Sequence, residues 1–228
     1  MTNSIRMLST LGLMGAMRSL TAAFEAETGI HVDADFAPTL ALLKRLRAGE
    51  AADLVILTRE GLDDMIGEGR VLADGAADLA RSYVGIAVRA GQVHPDIGSE
   101  AALRTTLLAA RSVAYSRLGA SGVYFAQLIV RMGIAEAINA RATVVEQGFT
   151  AERLVTGEAD LAVQQISELK QVDGIEVVGP IPRELQTPAV FSAGCIAGAG
   201  HADAAERLLR YLASPDVIPV LRQSGLEP

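Results

Sequence analysis

The chain has 228 residues, of which 50% are hydrophobic and 21% are charged, a composition that is typical of a folded globular protein and excludes a disordered one. Its formal net charge of −7 makes it a poor partner for nucleic acid, because phosphate binding needs clustered Lys and Arg side chains. The short basic run Lys44–Arg47 is interpreted as one exposed helix face.

The N-terminal residues show neither a basic segment followed by a solid apolar core nor a small-residue cleavage site, so no signal peptide is predicted. If Met1 is the natural start, we expect a cytoplasmic protein; if a leader has been removed, we expect a periplasmic one. No run of 18 apolar residues occurs, and we therefore expect no membrane partner.

Strands and helices alternate through the first third of the chain. A strand at 4–9 precedes a helix that ends at Gly29. The apolar stripe of this helix consists of Leu13, Met17, Leu20 and Phe24. A strand at 30–36 follows, and then a helix over 39–48 whose inward residues are predicted to be Leu40, Leu43 and Leu46. A buried strand at 53–57 leads to a short helix with Thr58 as its N-cap.

The same alternation continues to the C-terminus. Strands are predicted at 83–88, 112–116, 142–146, 159–163 and 174–179, and helices at 99–110, 121–133 and 149–157. The segment 187–198 is long enough to run between two lobes, and helices follow at 203–213 and within 214–225. Repeated β-α-β units predict an α/β fold with mostly parallel sheets and helices on both faces.

Two segments of the chain, near 81–90 and 187–198, are suited to carry it from one lobe to another and back. We therefore expect two lobes. The first consists of residues 1–82 plus 191–228, and the second of residues 83–190.

The residues that follow the predicted strands are candidates for a binding site, because ligands of open α/β sheets bind beyond the carboxyl ends of the strands. Most of them are hydroxyls and amides, with two arginines and one carboxylate. The candidates are Ser9, Thr10, Thr39, Thr58, Arg59, Ser116, Arg117, Ser121, Glu146, Gln147, Gln164 and Gln165.

This set suits a small anionic ligand. Helix N-termini offer free N–H groups, and each arginine can bind a carboxylate through two parallel hydrogen bonds. Each hydroxyl or amide is equally compatible with a role as a helix cap only. Arg59 and Arg117 are equally compatible with solvated surface charges. The combination, more than any one residue, indicates an anion site.

The sequence lacks the residues that a serine nucleophile, a phosphate-binding loop or a metal site needs. The stretch "GASGV" around Ser121 is not G-x-S-x-G, and no histidine falls at a strand end to complete a serine triad. No phosphate-binding glycine motif and no Cys/His cluster occur, so neither a cofactor nor a metal site is expected. Cys195, the only cysteine, excludes an internal disulfide and is predicted to be a small buried core residue.

Three stretches resemble the molybdate-type periplasmic solute-binding proteins. These stretches are "AFEAETGIHVDADFAPTLALLKRLRAGEAADLVILT", "GASGVYFAQLIVRMGI" and "GEADLAVQQ". The resemblance covers nearly the whole chain in the right order. It implies a type 2 periplasmic-binding fold, with two α/β lobes, two crossover strands and a ligand held between the lobes. By position it places Thr39, Ser121 and Gln165 at the ligand, Gln165 where the family has a tyrosine.

The chain departs from the family in its binding loops. The serine of the family's first loop falls on Gly12, with Ser9 and Thr10 upstream, and the serine-rich second loop reads "APTLA". Arg59 and Arg117 add charge where the family's molybdate sites are neutral. These departures favour an organic acid with two or three carboxylates over molybdate or tungstate. The absence of a leader argues against a transporter as partner.

The resemblance extends to aconitate isomerases, which share this fold and shift a double bond in a tricarboxylate. That reaction needs one general base, for which Glu146 is the candidate by position, and Tyr115 or a bound water are alternatives. We therefore carry two main hypotheses: a cytosolic protein that binds a small carboxylate, and an isomerase of an unsaturated polycarboxylate. Binding of molybdate or tungstate is a further alternative.

Overall fold

A computed structural model describes residues 4–228. Met1, on which the expected location depends, lies outside the described residues. The chain forms two compact units. The first contains the chain up to Arg81 and again from Ala189, and the second is Ser82–Pro188.

The first unit is built on a five-stranded sheet within the described residues, in the order β2-β1-β3-β10-β4. Its strands are β1 (Ser4–Thr10), β2 (His31–Ala37), β3 (Leu54–Thr58), β4 (Ala77–Ser82) and β10 (Ala189–Cys195). Its helices are α1 (Met14–Thr28), α2 (Thr39–Arg47), α3 (Arg59–Gly67), α9 (Ala202–Leu212) and α10 (Ile218–Gln223). Short 3-10 turns, Leu11–Leu13 and Pro215–Val217, precede α1 and α10.

The second unit also has a five-stranded sheet within the described residues, in the order β7-β6-β8-β5-β9. Its strands are β5 (Val84–Arg89), β6 (Val113–Ser116), β7 (Thr143–Val145), β8 (Leu161–Gln165) and β9 (Ile175–Pro180). Its helices are α4 (Glu100–Ala109), α5 (Ala120–Arg131), α6 (Ala135–Asn139), α7 (Glu152–Val155) and α8 (Ile166–Leu169), with a 3-10 turn at Arg183–Leu185.

Both sheets are mixed, and the parallel part of each is smaller than the repeated β-α-β pattern predicts. In the first unit β1 pairs in parallel with β2 and β3, whereas β10 runs antiparallel to β3. In the second, β6 pairs in parallel with β7 and β8, whereas β5 runs antiparallel to β8 and β9. β5 and β10 are the antiparallel strands, and each is the first strand after the chain passes from one unit to the other. No crossover helix therefore sets their direction.

The core of the first unit confirms the predicted stripe of α1, since Met17, Leu20 and Phe24 are buried against the sheet. The prediction for Leu40 is wrong: 46% of this residue is exposed. The helix begins at Thr39, and its buried face repeats at Thr39, Leu42, Leu43 and Leu46. This is the i, i+3, i+4, i+7 spacing of an amphipathic helix, and it turns Leu40 outward.

Candidate functional site

Hydroxyl groups collect at the carboxyl edge of the first unit's sheet. Ser9 and Thr10 end β1, Thr39 follows β2, and Thr58 ends β3; all four residues are buried. Because β1, β2 and β3 are parallel, these strand ends lie at one edge. Thr39 Oγ1 donates to Thr10 Oγ1 at 3.4 Å, which joins the ends of two strands through their hydroxyls.

Three helical segments begin at this edge and point their N-termini toward it. Thr58 caps α3, as predicted, by accepting a hydrogen bond from the backbone N–H of Gly61 at 3.3 Å. The turn after Thr10 and helix α2 after Pro38 have no side-chain cap. Their first N–H groups are therefore free donors beside the hydroxyls, an arrangement that attracts a small anion.

Arg59 lies at the same edge but is already paired with protein carboxylates. Its guanidinium binds Asp63 through two hydrogen bonds, of 2.6 and 3.2 Å, and contacts Asp78 at 3.4 Å. The hydrogen bond to Asp63 raises the pKa of Arg59 above its usual value. Ser192 Oγ, which is buried, donates to Asp78 at 2.6 Å and holds this carboxylate in place. Arg59 thus brings little unbalanced positive charge to a ligand.

Gly12 lies in the 3-10 turn Leu11–Leu13 that follows Thr10, at the position where the resemblance suggests a lost serine. A β-carbon on Gly12 would lie 2.6 Å from Cζ of the buried Phe191 ring, which faces Thr58 in the strand register. A serine at position 12 would overlap the Phe191 ring and would need a different side chain there. The glycine at position 12 therefore goes together with the phenylalanine in β10.

In the second unit, Arg117 and Glu146 follow two strands that end side by side. Ser116 and Val145 are partners in the parallel pairing of β6 with β7, and the next residues of the two strands are Arg117 and Glu146. Both side chains are exposed, and neither makes an ion pair or a hydrogen bond to any residue of the range 4–228. The guanidinium lies 6.0 Å from the centre of the Tyr115 ring. A cation and a carboxylate are thus both available at this edge.

Ser121 does not cap α5, although the predicted helix over 121–133 begins at this residue. The helix begins at Ala120 after Gly119, so that Ser121 lies in the first turn. Only 2% of this residue is exposed, and its hydroxyl finds no hydrogen-bond partner among the described residues. Ser116 Oγ is engaged differently: it accepts a hydrogen bond from the N–H of Leu118 at 3.2 Å and shapes the loop that carries Arg117.

The two glutamines at the end of β8 are buried and engaged by the protein itself. Gln164 Oε1 accepts from the N–H of Thr150 at 2.8 Å, and Gln164 Nε2 donates to the carbonyl of Gly148 at 3.3 Å. In the amide orientation that satisfies both of its ends, Gln165 donates to the carbonyls of Ser82 and Tyr83 at 3.2 Å. These contacts give both side chains a supporting role beside the site.

Two further residues near this edge, Tyr115 and Glu168, are buried. Tyr115, an alternative base, is buried, and its hydroxyl donates to Asn139 Oδ1 at 2.5 Å, so it has no free face for a ligand. Glu168, which sequence reasoning missed, is buried at the third position of α8. Burial raises the pKa of its carboxyl to about 8. No capping-box signal announces it in the sequence, because the residue before α8 is Gln165 and that motif needs Ser or Thr there.

Neither a metal cluster nor a membrane span is found in the part of the chain that the structure describes. In residues 4–228, no group of three or more His, Cys, Asp or Glu side chains is placed to bind a metal ion. Among the same residues, no helix has the length and apolar character needed to cross a membrane. Cys195 is buried as predicted, and burial raises the pKa of its thiol, which makes it a poor nucleophile.

Comparisons with known proteins bear on the family and the fold of this chain. An aconitate isomerase from a Pseudomonas species is 37% identical over 231 residues, which cover 99% of this chain and 88% of the relative. The periplasmic molybdate-binding protein of Azotobacter vinelandii superposes with a TM-score of 0.83 at 15% identity, over 98% of this chain and 99% of that one. The sulfate-binding protein SubI of Mycobacterium tuberculosis gives a TM-score of 0.71 at 17% identity, over 99% and 86%.

The two structural likenesses are below 25% identity and show the fold alone, which is the type 2 periplasmic-binding fold that the resemblance implied. A family model described as "Bacterial extracellular solute-binding protein" matches residues 5–227. This match covers nearly the whole chain and confirms the family that the sequence resembled. The chain therefore belongs to the bacterial extracellular solute-binding protein family.

Proposed function

We propose that this chain binds a small unsaturated polycarboxylate of the aconitate class and shifts its double bond. The observation that carries the proposal is the 37% identity to an aconitate isomerase over 99% of the chain. The second unit adds an exposed cation, Arg117, with a carboxylate, Glu146, at the end of the neighbouring strand.

In this proposal, each group binds the ligand through the hydrogen bonds that its chemistry allows. Thr10 accepts a hydrogen bond from Thr39 and keeps its own hydroxyl proton, which, with the uncapped N-termini beside it, can be donated to carboxylate oxygens. Ser9 and Thr39 already donate to Thr10 and support it. In the second unit, Ser121 offers a hydroxyl without a protein partner, and Arg117 offers a fork of N–H groups. Each unit by itself thus carries hydrogen-bond donors that suit carboxylate oxygens.

The isomerisation is a proton transfer that is balanced within the substrate. A base removes a proton from the methylene carbon next to the double bond, the double bond moves by one position, and a proton returns to the far carbon. Glu146 is the base in this proposal, because its exposed carboxyl group has no ion-pair or hydrogen-bond partner within residues 4–228. Binding energy from the carboxylates holds the reacting carbons in place.

A second candidate is binding without catalysis, of either a carboxylate or a tetrahedral oxyanion. The exposure of Glu146 favours it, since a general base usually works in surroundings that exclude water. The Thr10 hydroxyl and the uncapped N-termini of the first unit favour an oxyanion in particular, because they donate hydrogen bonds without adding charge.

A ligand screen followed by NMR separates these candidates. We expect cis- or trans-aconitate to raise the melting temperature, while sulfate, molybdate and tungstate leave it unchanged, because a ligand that binds only the folded state stabilises it. We then expect proton NMR to show each aconitate isomer converting into the other. A shift with tungstate alone would overturn the carboxylate proposal, and binding with an unchanged isomer ratio would leave only the second candidate.

A further inference from the structure

A cavity of about 550 Å³ lies at the amino edge of the second unit's sheet. Leu161 begins β8, Val88 lies near the end of the antiparallel strand β5, and both residues line the cavity. Arg117 and Glu146, by contrast, follow the carboxyl ends of β6 and β7. The cavity is therefore separate from the candidate anion site of this unit, and its volume is in the range of small-molecule sites.

The wall of this cavity is largely apolar. Val88, Leu154, Ala159 and Leu161 line it and are between 1% and 5% exposed, so that they form a packed surface. Val93 also lines the cavity, but 89% of this residue is exposed. An apolar ligand body placed here would remove both its own surface and that of Val93 from water, which favours binding.

The loop that carries Val93 is anchored on both sides of this residue. Glu176 of β9 lies within hydrogen-bond distance of His94, with 2.8 Å between Oε2 and Nε2. Further along the loop, Thr106 Oγ1 of α4 donates to the carbonyl of Asp96 at 2.7 Å. These contacts hold the loop against β9 and α4, so the exposed valine belongs to a fixed rim of the cavity.

The charged residues of the lining leave one positive charge unbalanced. Arg111 and Asp160 neutralise each other, since the backbone N–H and the guanidinium of Arg111 donate to the Asp160 carboxylate at 2.8 and 3.0 Å. Arg89, at the end of β5, is exposed, and its guanidinium makes neither an ion pair nor a hydrogen bond with any residue from 4 to 228. A guanidinium can bind a carboxylate through two parallel hydrogen bonds.

We propose that this cavity is a second binding site, which takes a small monocarboxylate with an apolar body. Arg89 binds the carboxylate, and the wall that contains Val88, Leu154 and Leu161 takes the apolar part. An inorganic anion would leave this wall uncovered, and a neutral apolar molecule would leave Arg89 without a partner. The site is independent of the proposed function, because it uses none of the residues of the candidate anion site.

Titration with 3-phenylpropionate, followed by NMR of the backbone amides, tests the location and the chemistry of the site. We expect saturable shifts at Val93 and Ala109, which line the cavity, and none at Ser116 and Ser121. The neutral 3-phenylpropionamide should bind at least tenfold more weakly, because it cannot form the charged pair with Arg89. Equal affinity of acid and amide, no saturable shift at millimolar probe, or shifts confined to the carboxyl edge would each overturn the proposal.

Three variants test the residues. We expect Arg89→Gln to weaken the binding of 3-phenylpropionate at least tenfold, while Arg104→Gln, which removes an exposed arginine outside the cavity lining, keeps the affinity. Ala109→Trp fills the cavity from an exposed position at the end of α4, and it should abolish binding without lowering the melting temperature. Unchanged affinity in Arg89→Gln or in Ala109→Trp would contradict the site. Equal losses in Arg89→Gln and Arg104→Gln would also overturn it, because net charge alone would then attract the probe.

Discussion

The first turn of α5 is seated directly on the end of β6: a β-carbon on Gly122 would lie 1.5 Å from the carbonyl oxygen of Ser116. Only a glycine allows the two backbones to come this close. The contact fixes the loop between them, which carries Arg117, and it brings the N-terminus of α5 to the edge of the sheet.

Replacing Gly122 should disrupt the packing of α5 on the end of β6. We expect Gly122→Ala to lower the free energy of unfolding by roughly 3 kcal/mol or more, because the added methyl group overlaps backbone atoms that cannot rotate away. Urea denaturation measures the change. Gly67→Ala is the matched control, since nothing lies within 4 Å of its β-carbon position, and it should leave stability unchanged or slightly higher. Equal stability of the two variants would contradict the close contact.

Sequence patterns predicted the elements well where periodicity is long and poorly where an element is short. The stripe of α1 and the cap at Thr58 follow from local spacing, and both are confirmed. Ser121 was a reasonable cap by residue type, but the helix starts one residue earlier because the backbone of Gly122 must pack on Ser116. The four-residue helix α8 is too short to show a period, so Glu168 was not predicted.

Ion-pair partners were the part of the site that the sequence did not reveal. The aspartates that neutralise Arg59 lie 4 and 19 residues further along the chain, and the second of them is the second residue of a strand, β4, that no pattern indicated. A charged residue at a strand end can therefore be recognised from sequence, whereas its freedom to bind a ligand depends on tertiary contacts.

The two candidate arginines should differ in their effect on binding. We expect Arg117→Ala to weaken the binding of trans-aconitate by about 1.5–3 kcal/mol, the range for a hydrogen bond to a charged group. Arg59→Ala should cost less than about 1 kcal/mol of binding, because Asp63 and Asp78 already occupy its guanidinium. Isothermal titration calorimetry of both variants makes the comparison. A larger loss in Arg59→Ala would show that this side chain leaves its aspartates for the ligand.

Glu146 should matter for turnover and not for binding. We expect Glu146→Gln to lower kcat for the interconversion of the aconitates at least a hundredfold, the usual contribution of a general base, while the affinity for substrate changes little. Glu136→Gln, an exposed glutamate of the same unit, is the control and should keep full activity. Proton NMR of the isomer ratio over time measures the rates, and full activity in Glu146→Gln would mean that another group is the base.

Gln164 should contribute to stability through the loop that it holds. We expect Gln164→Ala to lower the free energy of unfolding by about 1–3 kcal/mol, because the buried N–H of Thr150 and the carbonyl of Gly148 lose their partner. The exposed Gln92→Ala should change stability by less than about 0.5 kcal/mol. Thermal unfolding of the two variants beside the parent chain tests this, and an unaffected Gln164→Ala would show that water replaces the amide without cost.

Glu168 should give the protein a stability that declines as the pH rises. Its folded pKa of about 8 lies above the ordinary value of 4.5, so the folded chain holds a proton that the unfolded chain releases. The contribution is therefore fully present below pH 4.5 and is lost between pH 4.5 and 8, with a slope of up to about 1.4 kcal/mol per pH unit. The paired carboxylates Asp35 and Glu50 have lowered pKa values and act in the opposite direction, but only at more acidic pH. Urea denaturation between pH 5 and 8 should show the decline in the unmodified chain and a flatter profile in Glu168→Gln; parallel profiles would mean that Glu168 is ionised at neutral pH despite its burial.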